Sequence, residues 1–152
     1  SLEHISMAEL VQDLVQQFKP IAEQKNITIE TVYPENPHAK IYADIGLLDR
    51  ALSNLIDNAI RHTPEGGTVT IRTIQNGSDI DLEISDSGKG IPESDIPHVF
   101  DRFYQVDKSR SNSSGAGLGL SITQKILELH GAKITVQSLI NEGTTFKISM
   151  PS

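Results

Sequence analysis

The sequence contains no cysteine, few aromatic residues and no long hydrophobic run. Without cysteine, the chain of 152 residues has no disulfide, no iron–sulfur cluster, no thiolate zinc site and no cysteine nucleophile. Every hydrophobic run is shorter than the roughly 18 residues that a membrane-spanning helix needs. The opening segment SLEHISMAEL lacks the basic and apolar regions of a secretory signal. We therefore expect a soluble domain that makes no direct membrane contact.

Basic residues are a minority, with 13 Lys and Arg against 20 Asp and Glu and a net charge of −7. A negative net charge does not attract nucleic acid, so we expect no nucleic-acid partner. A local basic patch is still compatible with this net charge. With 37% hydrophobic residues, the chain is long enough to bury about 68–70% of its extended surface. We predict a single domain over residues 1–152.

The spacing of apolar residues predicts the order of helices and strands. Three- and four-residue spacing predicts a helix after the capping box Ser6-Met7-Ala8-Glu9, a second over 45–62 capped by Asp44, and a third over 118–129. Shorter apolar segments predict six strands, at residues 27–32, 41–43, 69–74, 80–85, 134–138 and 145–150. Asn76-Gly77 predicts a tight hairpin turn. This order predicts an α+β two-layer sandwich, a mixed β-sheet covered on one face by three helices.

A long segment, residues 86–119, follows neither the helical nor the strand period, apart from a short helix predicted near Glu93 to Phe100. Loops of this length in a compact domain are usually functional or disordered. Its middle part places Arg102, Lys108 and Arg110 beside three aromatic residues. Two interpretations follow: the aromatic residues anchor a surface loop, or the cations close over bound phosphates as a lid.

A polar stripe runs along the second predicted helix. Asn54, Asn58, Arg61 and His62 stand at positions 0, +4, +7 and +8 and therefore share one side. An ordinary solvated face is one interpretation. However, Asn is a poor helix former, and an amide oxygen suits Mg²⁺ while Arg pairs with phosphate. The stripe is therefore a candidate ligand-binding face.

Two glycine-rich segments are further candidates. Asp86-Ser87-Gly88-Lys89-Gly90-Ile91 directly follows a predicted strand, which is typical of a tight turn or of a carboxylate placed to accept from a ligand amine. Gly115-Ala116-Gly117-Leu118-Gly119-Leu120 leads into a helix whose free N–H groups can hold phosphate. It matches neither a Walker loop nor a good Rossmann fingerprint. Each segment alone is a weak signal.

The motifs are distinctive in combination. NLIDNAIRHTPEGG, DSGKGI, VFDRFYQVD, GAGLGL and GTTF resemble the N box, first glycine box, F box, second glycine box and closing Gly-Thr motif of sensor histidine kinases. The ending FKISMPS is similar to the usual last strand of the family. The resemblance covers nearly the whole chain and implies the Bergerat ATP-binding fold of a kinase catalytic domain, with ATP and Mg²⁺ as cofactors. It also implies an ATP lid at 100–116 and a linker remnant at 1–6.

For the phosphates, the resemblance implies that Asn58 holds Mg²⁺ and that Asn54 supports it. Arg61 is expected to meet phosphate, and His62 to lie against the nucleotide. Two lid cations are candidates for the γ-phosphate, Arg102 and Arg110. A backbone cradle is expected at the end of the lid, formed by Gly115, Gly117, Leu118 and Gly119.

For the base, the resemblance implies that Asp86 reads the adenine amine. Gly88 and Gly90 are expected to help, with Thr144 acting through water and Ile91 also in contact. Asn54 stands where ATP-hydrolysing relatives place a glutamate that activates water. An amide cannot act as that base, so hydrolysis is expected to be poor.

The resemblance also implies partners. The acceptor segment of the family reads like HExRTP, and no such string occurs in this sequence; His4 in EHIS is a poor match. The acceptor histidine is therefore expected on a separate dimerisation and histidine-phosphotransfer domain of the same kinase, with a response regulator as a further partner. The parent is expected to be a homodimer anchored in the bacterial inner membrane, with this domain in the cytoplasm. Two alternatives stay open: an anti-sigma-type serine kinase of the same fold, and a nucleotide-sensing module without transferase activity.

Overall fold

A computed structural model describes residues 1–104 and 119–152 of the chain. Its helices are α1 (Met7–Gln24), α2 (Ile45–His62) and α3 (Gly119–Leu129). Its strands are β1 (Glu3–Ser6), β2 (Thr28–Val32), β3 (Lys40–Ala43), β4 (Thr68–Asn76), β5 (Asp79–Asp86), β6 (Lys133–Leu139) and β7 (Gly143–Met150). The helices cover one face of a five-stranded sheet, so the predicted α+β sandwich is confirmed.

The main sheet has the strand order β2-β4-β5-β7-β6. It is mixed because β2 runs parallel to β4, whereas the other neighbouring pairs are antiparallel. A second, two-stranded sheet pairs β1 with β3 and buries Ile5 and Ile41. Residues 3–6 of the segment interpreted as a linker remnant thus form a strand. The sequence did not predict this strand, because four residues are too few to show the alternation of apolar and polar side chains. Its partner β3 also lies more than thirty residues away in the chain.

The helix starts follow the predicted capping residues. Ser6 accepts a hydrogen bond from the N–H of Glu9 at 3.2 Å, and Asp44 accepts one from Leu47 at 3.0 Å. Each bond satisfies one of the N–H groups that the first helical turn leaves unpaired. Fully buried side chains of α2 then pack against the sheet, and the burial of each contributes roughly 1.5–3 kcal/mol. They are Leu48, Leu52, Leu55 and Ile56.

Two local predictions are corrected by the structure. The predicted β4–β5 hairpin is present, but its turn lies at residues 77–78 and not at Asn76-Gly77, since Asn76 pairs with Asp79; within this turn only Gly77 has a positive φ, of 65°. A positive φ at the first turn residue alone is the type II′ pattern. The short helix expected near Glu93 to Phe100 is a single 3₁₀ turn at Ile96–His98. No helix within the described ranges is both long and apolar enough to cross a bilayer.

Candidate functional site

A cleft opens between the C-terminal half of α2, the segment after β5 and the first turn of α3. Apolar side chains form most of its wall, and a few polar groups converge on it. This composition is typical of small-molecule sites. The lining residues are Asn58, His62, Asp86, Lys89, Gly90, Ile91, Val99, Tyr104, Leu120, Thr144 and Phe146.

Asp86 is the acidic group of this cleft and stands at the end of β5. Its Oδ1 accepts hydrogen bonds from the N–H groups of Gly88 at 2.9 Å and Thr144 at 3.3 Å. Burial raises the pKa of Asp86, and these two backbone bonds oppose the rise. Because both bonds fall on Oδ1, Oδ2 is the oxygen suited to accept from a ligand donor.

Glycines allow the segment after β5 to lie close to its neighbours. A side chain at Gly88 would collide with the carbonyl oxygen of His62. Gly90 has a φ of 78°, and a side chain there would collide with the backbone of Leu139. The two glycines therefore hold this segment against α2 and the β6–β7 turn, which fixes the position of Asp86.

The structure brings two of the four stripe residues of α2 to the cleft, Asn58 and His62. Asn54 instead donates to the carbonyl of Gly119 and to the Thr123 hydroxyl, each at 3.4 Å. Its amide thus ties α2 to the first turn of α3, the turn whose Leu120 lines the cleft.

Arg61 does not line the cleft in this structure. Its Nε donates to Asp57 at 3.0 Å, and the two side chains are 42% and 43% exposed. Ion pairs at such exposure contribute at most about 1 kcal/mol, so the guanidinium can exchange this partner at low cost.

Only the beginning of the predicted lid, 100–104, lies within the described residues. Arg102 is exposed, with its guanidinium carbon 5.4 Å from the centre of the Phe103 ring. Tyr104 lines the cleft, and burial together with the nearby Asp95 carboxylate raises its pKa to about 12. Its phenol is therefore neutral at physiological pH. The other predicted lid and cradle residues lie outside the described ranges: Arg110, Gly115, Gly117 and Leu118.

Several cleft residues were not identified from the sequence. Phe146 had a usable signal, because strand alternation puts it on the same face of β7 as Thr144, which was identified. Lys89 stands inside a segment already singled out. Val99 and Tyr104 stand inside the quoted segment VFDRFYQVD, and Leu120 ends the second glycine-rich segment. Their contact with the cleft depends on tertiary packing, which the sequence pattern does not predict.

Comparison with known proteins identifies the relatives of this fold. Residues 43–152 match the family described as histidine kinase-, DNA gyrase B-, and HSP90-like ATPase. The chain is 40% identical over 136 residues to the sensor protein IrlS of Burkholderia pseudomallei, covering 89% of this chain and 28% of IrlS. It is 35% identical over 151 residues to the sensor-like histidine kinase SenX3 of Mycolicibacterium smegmatis, covering 99% of this chain and 39% of SenX3. The chain thus spans well under half the length of these relatives.

Solved structures show the same likeness. The catalytic domain of the histidine kinase ThkA superposes with a TM-score of 0.86 at 28% identity, covering 99% of this chain and 95% of that domain. ThkA in complex with the response regulator protein TrrA superposes with a TM-score of 0.83 at 26% identity, covering 99% of this chain and 41% of the ThkA chain. The match extends over both layers of the fold. This chain therefore belongs to the family of histidine kinase-, DNA gyrase B- and HSP90-like ATPases, and its ATP-binding domain is of the sensor histidine kinase type.

Proposed function

We propose that this chain binds Mg·ATP in the cleft beside Asp86 and transfers the γ-phosphoryl group to a histidine on a separate domain, in two-component signal transduction. The observation that carries the proposal is the partly buried Asp86 carboxylate, which lines the cleft and is held on Oδ1 by two backbone N–H groups. A carboxylate fixed in this way is suited to read an exocyclic amine.

The adenine is proposed to enter between apolar side chains, with its amine toward Oδ2 of Asp86. Ile91, Val99 and Phe146 are buried and line this part of the cleft, so a flat ring can replace water there. The raised pKa of Asp86 reflects the same dry surroundings, in which a hydrogen bond to a charge is stronger than in water.

The phosphates are proposed to lie toward Asn58 and the first turn of α3. The Asn58 amide lines the cleft, and no group of three or more His, Asp or Glu side chains within the described residues could hold a metal ion. One amide oxygen fits Mg²⁺, which usually keeps several waters and takes phosphate oxygens as further ligands. When bound, Mg²⁺ would neutralise phosphate charge. Arg61 and Arg102 are exposed cations that can turn toward the phosphates, and with Arg110 they remain candidates for this contact.

The chain's contribution to transfer is proposed to be positioning. The acceptor nitrogen bonds to the γ-phosphorus as the bond from that phosphorus to the bridging oxygen breaks, and ADP leaves with that electron pair. Asn54 cannot serve as a general base, and its Nδ2 already bonds to Gly119 and Thr123. Hydrolysis of ATP by water is therefore slow, and the γ-phosphoryl group is kept for transfer.

The proposal includes partners outside this chain. IrlS and SenX3 are much longer than the segment that matches, which supports a parent protein with further domains. We propose that the acceptor histidine lies on a dimerisation domain of that parent, that the parent is a homodimer anchored in the bacterial inner membrane, and that this domain is cytoplasmic. The complex of ThkA with TrrA supports a response regulator as the next partner.

A phosphorylation assay tests the transfer. With Mg²⁺ and γ-labelled ATP, the chain is expected to label a separately produced dimerisation domain of its parent, and the label is expected to be acid-labile, as phosphohistidine is. Labelling is expected to require both the acceptor histidine and Mg²⁺. Acid-stable phosphoserine would favour the anti-sigma-type serine kinase instead. Tight ATP binding without label on any partner would favour a nucleotide-sensing module.

The pH dependence of ATP binding tests the role of Asp86. Because burial raises the pKa of Asp86 above the ordinary 3.8, the carboxylate takes up its proton at a higher pH than an exposed aspartate. Protonation removes the charge that accepts from the amine, so ATP affinity is expected to fall as the pH is lowered through that raised value. Titration calorimetry at a series of pH values measures the effect. Asp86→Asn serves as the reference, since the part of the dependence due to Asp86 must be missing in that variant.

A further inference from the structure

Three hydroxyl and carboxyl side chains form a row across three neighbouring strands beneath the cleft. Asp86 of β5 is paired with Thr144 of β7, and Thr144 is paired in turn with Ser138 of β6. Thr144 is buried and lines the cleft, whereas Ser138 lies behind it and does not. Neither motif nor spacing singled out Ser138.

Ser138 uses all of its hydrogen-bonding capacity. A serine hydroxyl has one proton to donate and two lone pairs that accept. The N–H of Ile91 donates to Ser138 at 2.7 Å, and Ser138 lies 3.0 Å from the carbonyl oxygen of Gly143, to which it can donate. The remaining contact joins the hydroxyls of Ser138 and Thr144 at 2.8 Å.

The contacts of Ser138 favour one direction for the Thr144 proton. If Ser138 gives its only proton to Gly143, Thr144 must be the donor in the bond between the two hydroxyls. The Thr144 oxygen then has only acceptor capacity left for a further partner. Asp86 is likewise an acceptor, because its carboxylate has no proton to donate. Its Oδ2 takes no part in the bonds from the Gly88 and Thr144 N–H groups.

We propose that Ser138 is a specificity-positioning residue: by holding the Thr144 proton, it leaves Asp86 and Thr144 as a pair of acceptors toward the base, and this pair selects a purine with an amine at C6. In the orientation proposed for adenine, a purine with an oxygen at C6 would bring lone pairs against the lone pairs of Asp86 and Thr144. Sites built to pair with one polar group strongly reject the analogue that cannot. This inference rests on the proposed binding of ATP in the cleft.

Inosine triphosphate tests the inference, because it carries an oxygen in place of the ATP amine at C6. In Ser138→Ala, the Thr144 proton is free to turn into the cleft and donate to that oxygen. The ratio of ATP to inosine triphosphate affinity is expected to fall by roughly tenfold, about the factor of one net hydrogen bond. Ser138→Thr keeps the hydroxyl and is expected to restore the wild-type ratio.

Ser85→Ala is the matched control. Ser85 and Thr145 form the same kind of hydroxyl bond, at 2.7 Å, on the opposite face of the same sheet. Removing it is expected to leave the affinity ratio unchanged, which separates the effect on the base from a general loosening of the strands. A folded Ser138→Ala variant with the wild-type ratio would overturn the inference.

A second variant covers the case in which Ser138→Ala does not fold. Thr144→Val removes the acceptor itself, so its ratio is also expected to fall, and adding Ser138→Ala is expected to lower it no further. An unchanged ratio in Thr144→Val would refute the role of this hydroxyl pair. If the wild-type chain binds ATP weakly or not at all, the proposed function fails first, and the inference fails with it.

Discussion

Asp86→Asn is expected to weaken ATP binding by about 10- to 100-fold, the range that corresponds to the loss of one hydrogen bond to a charged group. The asparagine oxygen can still accept from Gly88 and Thr144, so the local backbone is expected to persist. The amide nitrogen then occupies the place of Oδ2 and directs protons toward the adenine amine. Isothermal titration calorimetry measures the affinity, and GTP is expected to compete poorly with ATP in the wild-type chain.

The same substitution is expected to raise the melting temperature of the ligand-free chain at neutral pH. Burial raises the pKa of Asp86, so the folded state holds the ionised carboxyl less well than the unfolded state does. The stability associated with a raised pKa is fully present below the unfolded value of 3.8 and is lost as the pH rises through the folded value. The advantage of asparagine is therefore expected near neutrality and not below pH 3.8. Calorimetric melting at the two pH values checks the sign.

Asp81→Asn is the control for this pair of measurements. Asp81 is a buried aspartate of β5, the strand that ends at Asp86, but it lies on the opposite face of the sheet, beside Asn76 and Lys147. Its replacement is expected to leave ATP affinity unchanged. Wild-type affinity in Asp86→Asn would remove the basis for placing adenine in this cleft.

The sequence was most informative where local signals agreed with one another. The bounds of α2 match the prediction because a cap at Asp44 and a seven-residue buried stripe specify the same segment. Asp86 and Thr144, which the resemblance implies on the base side of the site, are joined in the structure by a hydrogen bond. Consistency between local patterns and tertiary packing is what makes such a prediction possible.

Contacts between segments that are distant in the chain could not be predicted from the sequence. The stripe on α2 reads as one face, yet Asn54 bonds to Thr123 and Arg61 pairs with Asp57, so the four residues have different neighbours. Likewise, β1 exists because β3 pairs with it across a long stretch of chain. Helical spacing predicts which side chains lie on the same side of α2. Which of these side chains line the cleft depends on how α3 packs against α2.

Asn58→Ala is expected to lower phosphoryl transfer by at least about 100-fold, because mispositioned phosphates lose both charge neutralisation and alignment. Asn58 is the amide that lines the cleft, so its loss is expected to abolish the effect of Mg²⁺ on ATP affinity while leaving binding without metal nearly unchanged. Titration calorimetry in the presence of Mg²⁺ and in the presence of a chelator measures ATP affinity with and without the metal. Ser53→Ala, which removes a hydroxyl bonded to Asp49 on the same helix, is expected to behave as the wild type. Retained Mg²⁺ dependence in Asn58→Ala would assign the metal to other ligands and leave Asn58 a role in packing alone.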